Sequence, residues 1–221
     1  MMKTITVKGI GKATAKPDLI VISMALDSQD MEYEKAMEKA SDSIVQINSA
    51  LAAAGFDKEE IKTTNFNVHS DYRSVRDSDG SYRQEFNGYV VSHNLKIQFD
   101  FDVRVLSNAL AALAGCPSHP QLSIAFTVKN ASAINAEMLR SATANARRKA
   151  EILCEASGVL LGELISINYS WGELDIISPT QYRVAEECMD APMMAKGIDL
   201  LPDDIDVSDT ATFVWEIKQK A

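Results

Sequence analysis

The sequence is poor in the residues from which most chemistry is built. It holds three histidines and three cysteines in 221 residues. The cysteines (Cys116, Cys154, Cys188) stand far apart and are odd in number, so they encode no disulfide framework and suit a reducing compartment. Basic residues are outnumbered, 22 against 31 acidic, for a net charge of −9. A duplex-binding protein needs a basic footprint that releases counterions, so nucleic acid is excluded as the expected partner. An anionic membrane surface is disfavoured for the same reason, and the acidity serves solubility. No window approaches the roughly 20 apolar residues that a membrane-spanning helix needs. The N-terminus, Met1-Met2-Lys3-Thr4-Ile5-Thr6-Val7-Lys8, lacks the apolar core of a signal peptide. The expectation is a cytoplasmic protein as the sequence stands, or a periplasmic or envelope protein if a leader has been removed.

What is present is an ordinary globular composition, 46% apolar and 24% charged, with no sign of long disorder. Tyr33, Met37, Ala40, Ile44, Ile47 and Leu51 recur at steps of four and three, which predicts an amphipathic helix with Asp30 as N-cap and Gly55 as stop. A second long helix is predicted over 132–157, with Ile134, Met138, Ala142, Ala146, Ala150 and Leu153 on one face. That face is mostly alanine, which permits close approach to a sheet. A shorter helix is predicted over 103–114. Strands follow from alternation at Tyr89, Val91, Leu95, Ile97 and Phe99, then at Leu122, Ile124, Phe126 and Val128. Two more show it at Ile165, Ile167, Tyr169 and Trp171, and at Ala211, Phe213, Trp215 and Ile217. A polar strand over 61–72 is joined to the next through a turn at Asp79-Gly80.

These elements spell strand-helix-strand-strand twice, over about 18–100 and 120–218. Hairpins outnumber parallel crossovers, so the class is α+β, mainly antiparallel sheet with two long helices packed on it. Two organisations fit: a duplicated β-α-β-β unit, with halves 1–101 and 120–221 joined by the helix at 103–115, or one continuous sheet without a repeat. The segment 172–204 lacks periodicity and contains Met189, Met193 and Met194 among prolines. It reads as a long loop or insertion, either an adaptable contact surface or a tolerated surface excursion.

The chemical motifs each meet a simpler explanation. Gly9-x-Gly11 follows a strand-like run at 4–7, but Lys16-Pro17 and the β-formers of 19–24 follow, giving strand-turn-strand. No helix opens at the glycines, so a dinucleotide site is rejected. Cys116-Pro117-Ser118-His119 has a chelating spacing without a second ligand pair, and reads as a rigid turn. His93 falls on the apolar face of its strand as a hydrogen-bonded, half-buried residue, and His69 shares a side with Ile61 and Asn65 if its strand is regular. No G-x-S-x-G elbow and no cysteine in a basic setting nominate a nucleophile. Asp71, Asp77, Asp79 and Glu85 cluster around the hairpin loop, and Asp199, Asp203, Asp204 and Asp206 precede the last strand without calcium-loop spacing. Arg147-Arg148-Lys149 diverge around a helical turn, with Glu151 placed to pair four residues after Arg147. The residues therefore nominate no catalytic, cofactor-binding or metal site.

One pattern spans the chain. It starts with Val7, Gly9, Gly11, Pro17 and Asp18, then Gly55, Ile61-x-Thr63 and Gly88-Tyr89. It continues with Ala142, Ala146, Lys149, Ala150, Leu153, Ala156 and Gly158-Val159-x-Leu161-Gly162, and ends in Asp204-Ile205-x-Val207, Val214 and Ile217. In order and spacing it resembles the SIMPL-domain family. The resemblance implies an envelope or periplasmic protein of undefined biochemical function, in some members linked to stress resistance or surface antigenicity, and in at least one to a ring-like homo-oligomer. It carries over no catalytic residues; the matched glycines and Pro17 are expected to meet backbone requirements, as turns, helix stops or close approaches. The expected function is a non-enzymatic, self-associating scaffold or interaction protein. The alternative is a small-molecule-binding protein or unrecognised hydrolase using a cleft under the 172–204 loop, with the acidic residues at 71–85 as first suspects.

Overall fold

The computed structural model describes residues 3–78, 80–169, 176–180, 182–184 (backbone only) and 201–220. The chain divides into two compact units, one of residues 1–18, 127–179 and 202–221, the other of residues 19–126 and 180–201. As expected, the class is α+β with antiparallel pairing.

In the first unit, β1 (Thr4–Ala15), β8 (Ile205–Gln219) and β6 (Val159–Asn168) form a sheet of order β1-β8-β6, and α3 (Ala131–Ala156) lies on it. The glycines 9 and 11 are not in a turn. β1 runs through them without a break and pairs residue for residue with β8, from Thr4 opposite Glu216 to Ala15 opposite Ile205. They instead permit a close approach. A Cβ on Gly9 would lie 2.2 Å from the carbonyl oxygen of Ala142, and one on Gly11 would lie 2.1 Å from that of Met138. The helix meets them with Met138, Ala142, Ala146, Ala150 and Cys154, all buried. The predicted alanine face is therefore right in principle, but the stripe continues in fours to Cys154, leaving Leu153 49% exposed.

The spacing explains the fit. Four helical residues rise about 6 Å and two strand residues about 6.8 Å, so helix and strand stay nearly in step. Three further residues of α3, again four apart, exploit that match. Ser141 Oγ accepts from Lys12 N–H (3.2 Å), Asn145 Oδ1 accepts from Ile10 N–H (3.0 Å), and Lys149 Nζ donates to Lys8 O (3.1 Å). Helix side chains thus occupy the backbone groups on the edge of β1 that a further strand would need. Phe213 and Trp215 stack at 5.4 Å on the covered face, and Ile176 joins Met138, Ala13 and Ile205 in a second cluster.

The second unit holds β2 (Leu19–Asp30), α1 (Tyr33–Ala53), a 3₁₀ turn (Lys58–Glu60), β3 (Lys62–Arg76), β4 (Tyr82–Asp100), α2 (Val103–Ala114) and β5 (Gln121–Thr127). Its sheet has the order β3-β4-β2-β5-β7, where β7 is Tyr182–Val184. Ile20, Ile22, Met24 and Leu26 alternate inward along β2 against Ile47 and Leu51 of α1 and Leu106, Leu110 and Leu113 of α2. Each such side chain contributes about 1.5–3 kcal/mol on full burial. Asp102 caps α2 through Arg104 and Val105 N–H. Gly55 closes α1 at φ 95°, as predicted. Asp30 does not cap α1: Glu32 holds that position without a side-chain bond, because β2 continues to Asp30. Asp30 instead accepts from Glu32 N–H (3.0 Å) and pairs with Lys39 (2.7 Å), and the Lys39 hydrogen bond chiefly holds its carboxyl below the usual range.

Parts of the 172–204 segment are ordered, residues 176–179 within the first unit and β7 within the second. Ile176 is buried, Ile177 bridges Thr127, the Ser178 hydroxyl donates to Asp203 O (2.7 Å), and β7 pairs with β5. Met189, Met193 and Met194 lie outside the described residues.

Gly11→Ala should destabilise the protein by about 1–3 kcal/mol, the range for an overpacked core, whereas Thr6→Ala on the open face should stay within about 0.5 kcal/mol. Urea unfolding checks both. In Asn145→Ala, amide exchange at Ile10 should accelerate selectively, read residue by residue by NMR.

Candidate functional site

Several of the side chains singled out for chemistry are engaged in holding the fold. Cys116 is buried with Sγ 3.0 Å from the Ser118 hydroxyl, and His119, at φ 43°, donates its N–H to Cys116 O (3.1 Å). The C-x-x-H spacing closes a tight turn. Among the described residues, no group of three His, Cys, Asp or Glu side chains is placed to hold a metal ion. Arg147 pairs with Glu151 at 3.0 Å as its spacing predicts. Lys149 is not merely solvated, as its bond to β1 shows.

The acidic cluster around the β3–β4 hairpin is neutralised pairwise. Arg73 meets Glu85 and Arg83 meets Asp77, each at 3.2 Å across the ladder. Asp71 accepts from Asn87 Nδ2 (2.6 Å) and Gln29 Nε2 (3.1 Å), which ties the end of β2 to the hairpin where Asn87 bulges from β4. Asp79 lies outside the described residues. Before the last strand, Asp206 accepts from the Thr14 hydroxyl (2.5 Å), while Asp199 is also outside the described set. A depression of about 420 Å³ lined by Glu59, Glu60, Lys62, Lys96 and Gln98 mixes both charges and gathers no catalytic set.

His93 is more deeply placed than expected, only 7% exposed on β4. Its Nε2 lies 2.9 Å from Thr63 Oγ1, the Phe66 ring stands edge-on at 5.1 Å, and Nδ1 has no hydrogen-bond partner. Burial pushes its pKa below the ordinary 6.5 and so favours the neutral ring. His69 does not share a side with Ile61. Thr64 is an extra residue in β3, which flips the alternation, leaving Asn65 and His69 exposed and Ile61 partly buried.

What stands out instead is exposed edge. β6 ends its sheet and carries Leu160, Leu164, Ile165 and Ile167 between 46% and 54% exposed. The predicted buried face of Ile165 and Ile167 fails because two register shifts against β8 interrupt the alternation of this edge strand. Trp171 lies outside the described residues. β3 ends the other sheet, with Phe66 48% and Tyr72 56% exposed. Sequence reasoning saw β3 only as polar and passed over both aromatics; the absence of any charged residue over 63–70 was the available signal.

The folded state favours neutral His93, so the unfolded chain binds the extra proton. Its contribution is fully present above pH 6.5 and is lost as pH falls below that value toward the lowered folded pKa. Thermal unfolding from pH 8 to 5 should show this decline, and His93→Gln should flatten it over the same window.

The 26 kDa periplasmic immunogenic protein of Brucella melitensis biotype 1 is 28% identical over 169 residues, covering 74% of this chain and 65% of that protein. The protein of the same name from Brucella abortus strain S19 is 27% identical over the same shares. This chain thus spans slightly under two thirds of the relatives' length. The profile of the SIMPL family, described as proteins of unknown function (DUF541), matches residues 5–215, and the chain belongs to that family.

Proposed function

We propose that the protein is a self-associating scaffold or interaction module of the cell envelope, working through its surfaces and not through catalysis. The observation that carries this reading is the row Leu160, Leu164, Ile165 and Ile167 on β6, an end strand among the described residues. Apolar side chains gathered along an unpaired edge favour association, since both the side chains and the open backbone groups gain by being covered. Two further observations support it. His93, Cys116 and the acidic residues Asp71, Asp77 and Glu85 are engaged in a bulge, a turn and the hairpin, and the relatives are named as periplasmic. The relatives' name supports an envelope location. No described helix is long and apolar enough to cross a membrane.

Light scattering over a concentration series should give a discrete species heavier than the 24.2 kDa chain. A monomer at every concentration would remove this reading.

A further inference from the structure

We infer that β3 is the surface through which two copies of the chain join, edge to edge and antiparallel, about a two-fold axis at Asn67. The inference rests on the self-association proposed above and adds a second edge, β3, with its register.

β3 is an end strand, 15 residues long, and nearly all of it is exposed. Natural edges are usually guarded by charge or proline. From Thr63 to Ser70 this one has neither. The faces are fixed by β4: Phe66 lies opposite buried His93 and Val68 opposite buried Val91, so both point to the helix-covered side. Thr63 lies opposite Leu95 and points the same way, because Thr64 is extra. Asn65, Asn67 and His69 point to the other side.

A two-fold axis normal to a continuous sheet sets each residue opposite one on its own face, so it must pass between two copies of one residue. With the axis at Asn67, Phe66 of each copy faces Val68 of the other on the covered side, an aromatic and β-branched pair formed twice. Asn65 faces His69. Beyond the extra Thr64, Ser70 meets Thr63, Lys62 meets Asp71, and Ile61 meets Tyr72. Moving the axis to Phe66 leaves Asp71 beyond the start of the partner strand at Lys62, without a charge partner, and moving it to Val68 brings Lys62 opposite Arg73. Of these three registers, only the one at Asn67 sets opposite charges together, at both ends of the pairing. That register also covers Phe66, which the single chain leaves half exposed.

The test uses the full chain with Cys188→Ser, since Cys116 and Cys154 are buried. Residues directly opposite in an antiparallel pair have Cα atoms about 4.5–5.5 Å apart, within disulfide reach. Asn67→Cys should therefore form a covalent dimer on mild oxidation. Asn65→Cys, on the same exposed face but about 14 Å from its own copy at strand rise, should not. Phe66→Lys, at an exposed position, should lower the solution mass and raise the concentration for half-association about tenfold or more. Crosslinking at 67 but not 65, with the loss of mass, bears the proposal out. A wild-type assembly that survives Phe66→Lys, or that crosslinks at neither or equally at both positions, overturns this edge while leaving self-association through another surface. A wild-type monomer overturns both readings.

Discussion

The structure of the first unit depends on how closely one helix can approach one strand. Gly9 and Gly11 remove the two side chains that would stand between β1 and α3, and Ala142, Ala146 and Ala150 remove the bulk from the other side. At that separation, helix side chains of ordinary length reach the strand's outer backbone. Ser141, Asn145 and Lys149 do so at successive turns. One pattern of small residues therefore packs the unit and closes one edge of its sheet. Dispersion between close-packed small groups replaces the burial of large ones, which accounts for a core helix whose inner stripe holds a single large side chain, Met138.

Closing β1 leaves an asymmetry. In both sheets a long helix is followed by an end strand and then by the strand it pairs with: α1, β3, β4 in one, and α3, β6, β8 in the other. β3 and β6 thus hold corresponding places, and both carry large apolar side chains into solvent. β6 is distorted by two register shifts and β3 by the extra Thr64, devices that roughen an edge without charging it. β6 carries a single charge, Glu163, and the charges of β3 stand at its two ends, leaving 63–70 uncharged in a chain of net charge −9.

Much of this was legible in the sequence because periodicity reports burial directly. The alternation at Leu122, Ile124 and Phe126, and at Ala211, Phe213 and Trp215, reappears as buried side chains. Failures cluster where a strand is irregular or where glycine has more than one use. Gly9-x-Gly11 has the same spelling as a turn and as a close approach, and the choice depends on Ala142 and Met138, some 130 residues away. Leu153 and Cys154 are both apolar, and only the match of helix to strand rise picks the latter. Ile165 and Ile167 alternate as a buried strand would, but alternation cannot reveal that the strand is an edge interrupted by bulges. The pairing of Lys62 to Arg76 with β4, and so the face on which Phe66 lies, depends on an extra residue that no local pattern marks.

His93 shows how the irregular part is held. Burying an imidazole with one nitrogen unpartnered is costly, so its retention calls for a structural return. Its neighbours supply one. Thr63 lies before the extra residue in β3 and Phe66 after it, and the same ring touches both, by a 2.9 Å hydrogen bond and by edge-on contact at 5.1 Å. A bulge is a place where register could slip by one, and a slip would turn Phe66 and Val68 to the opposite face. By gripping the strand on both sides of Thr64, His93 fixes which face β3 offers at its open edge. The scarce histidine of this chain is spent on setting a register, and through it on the geometry of a surface.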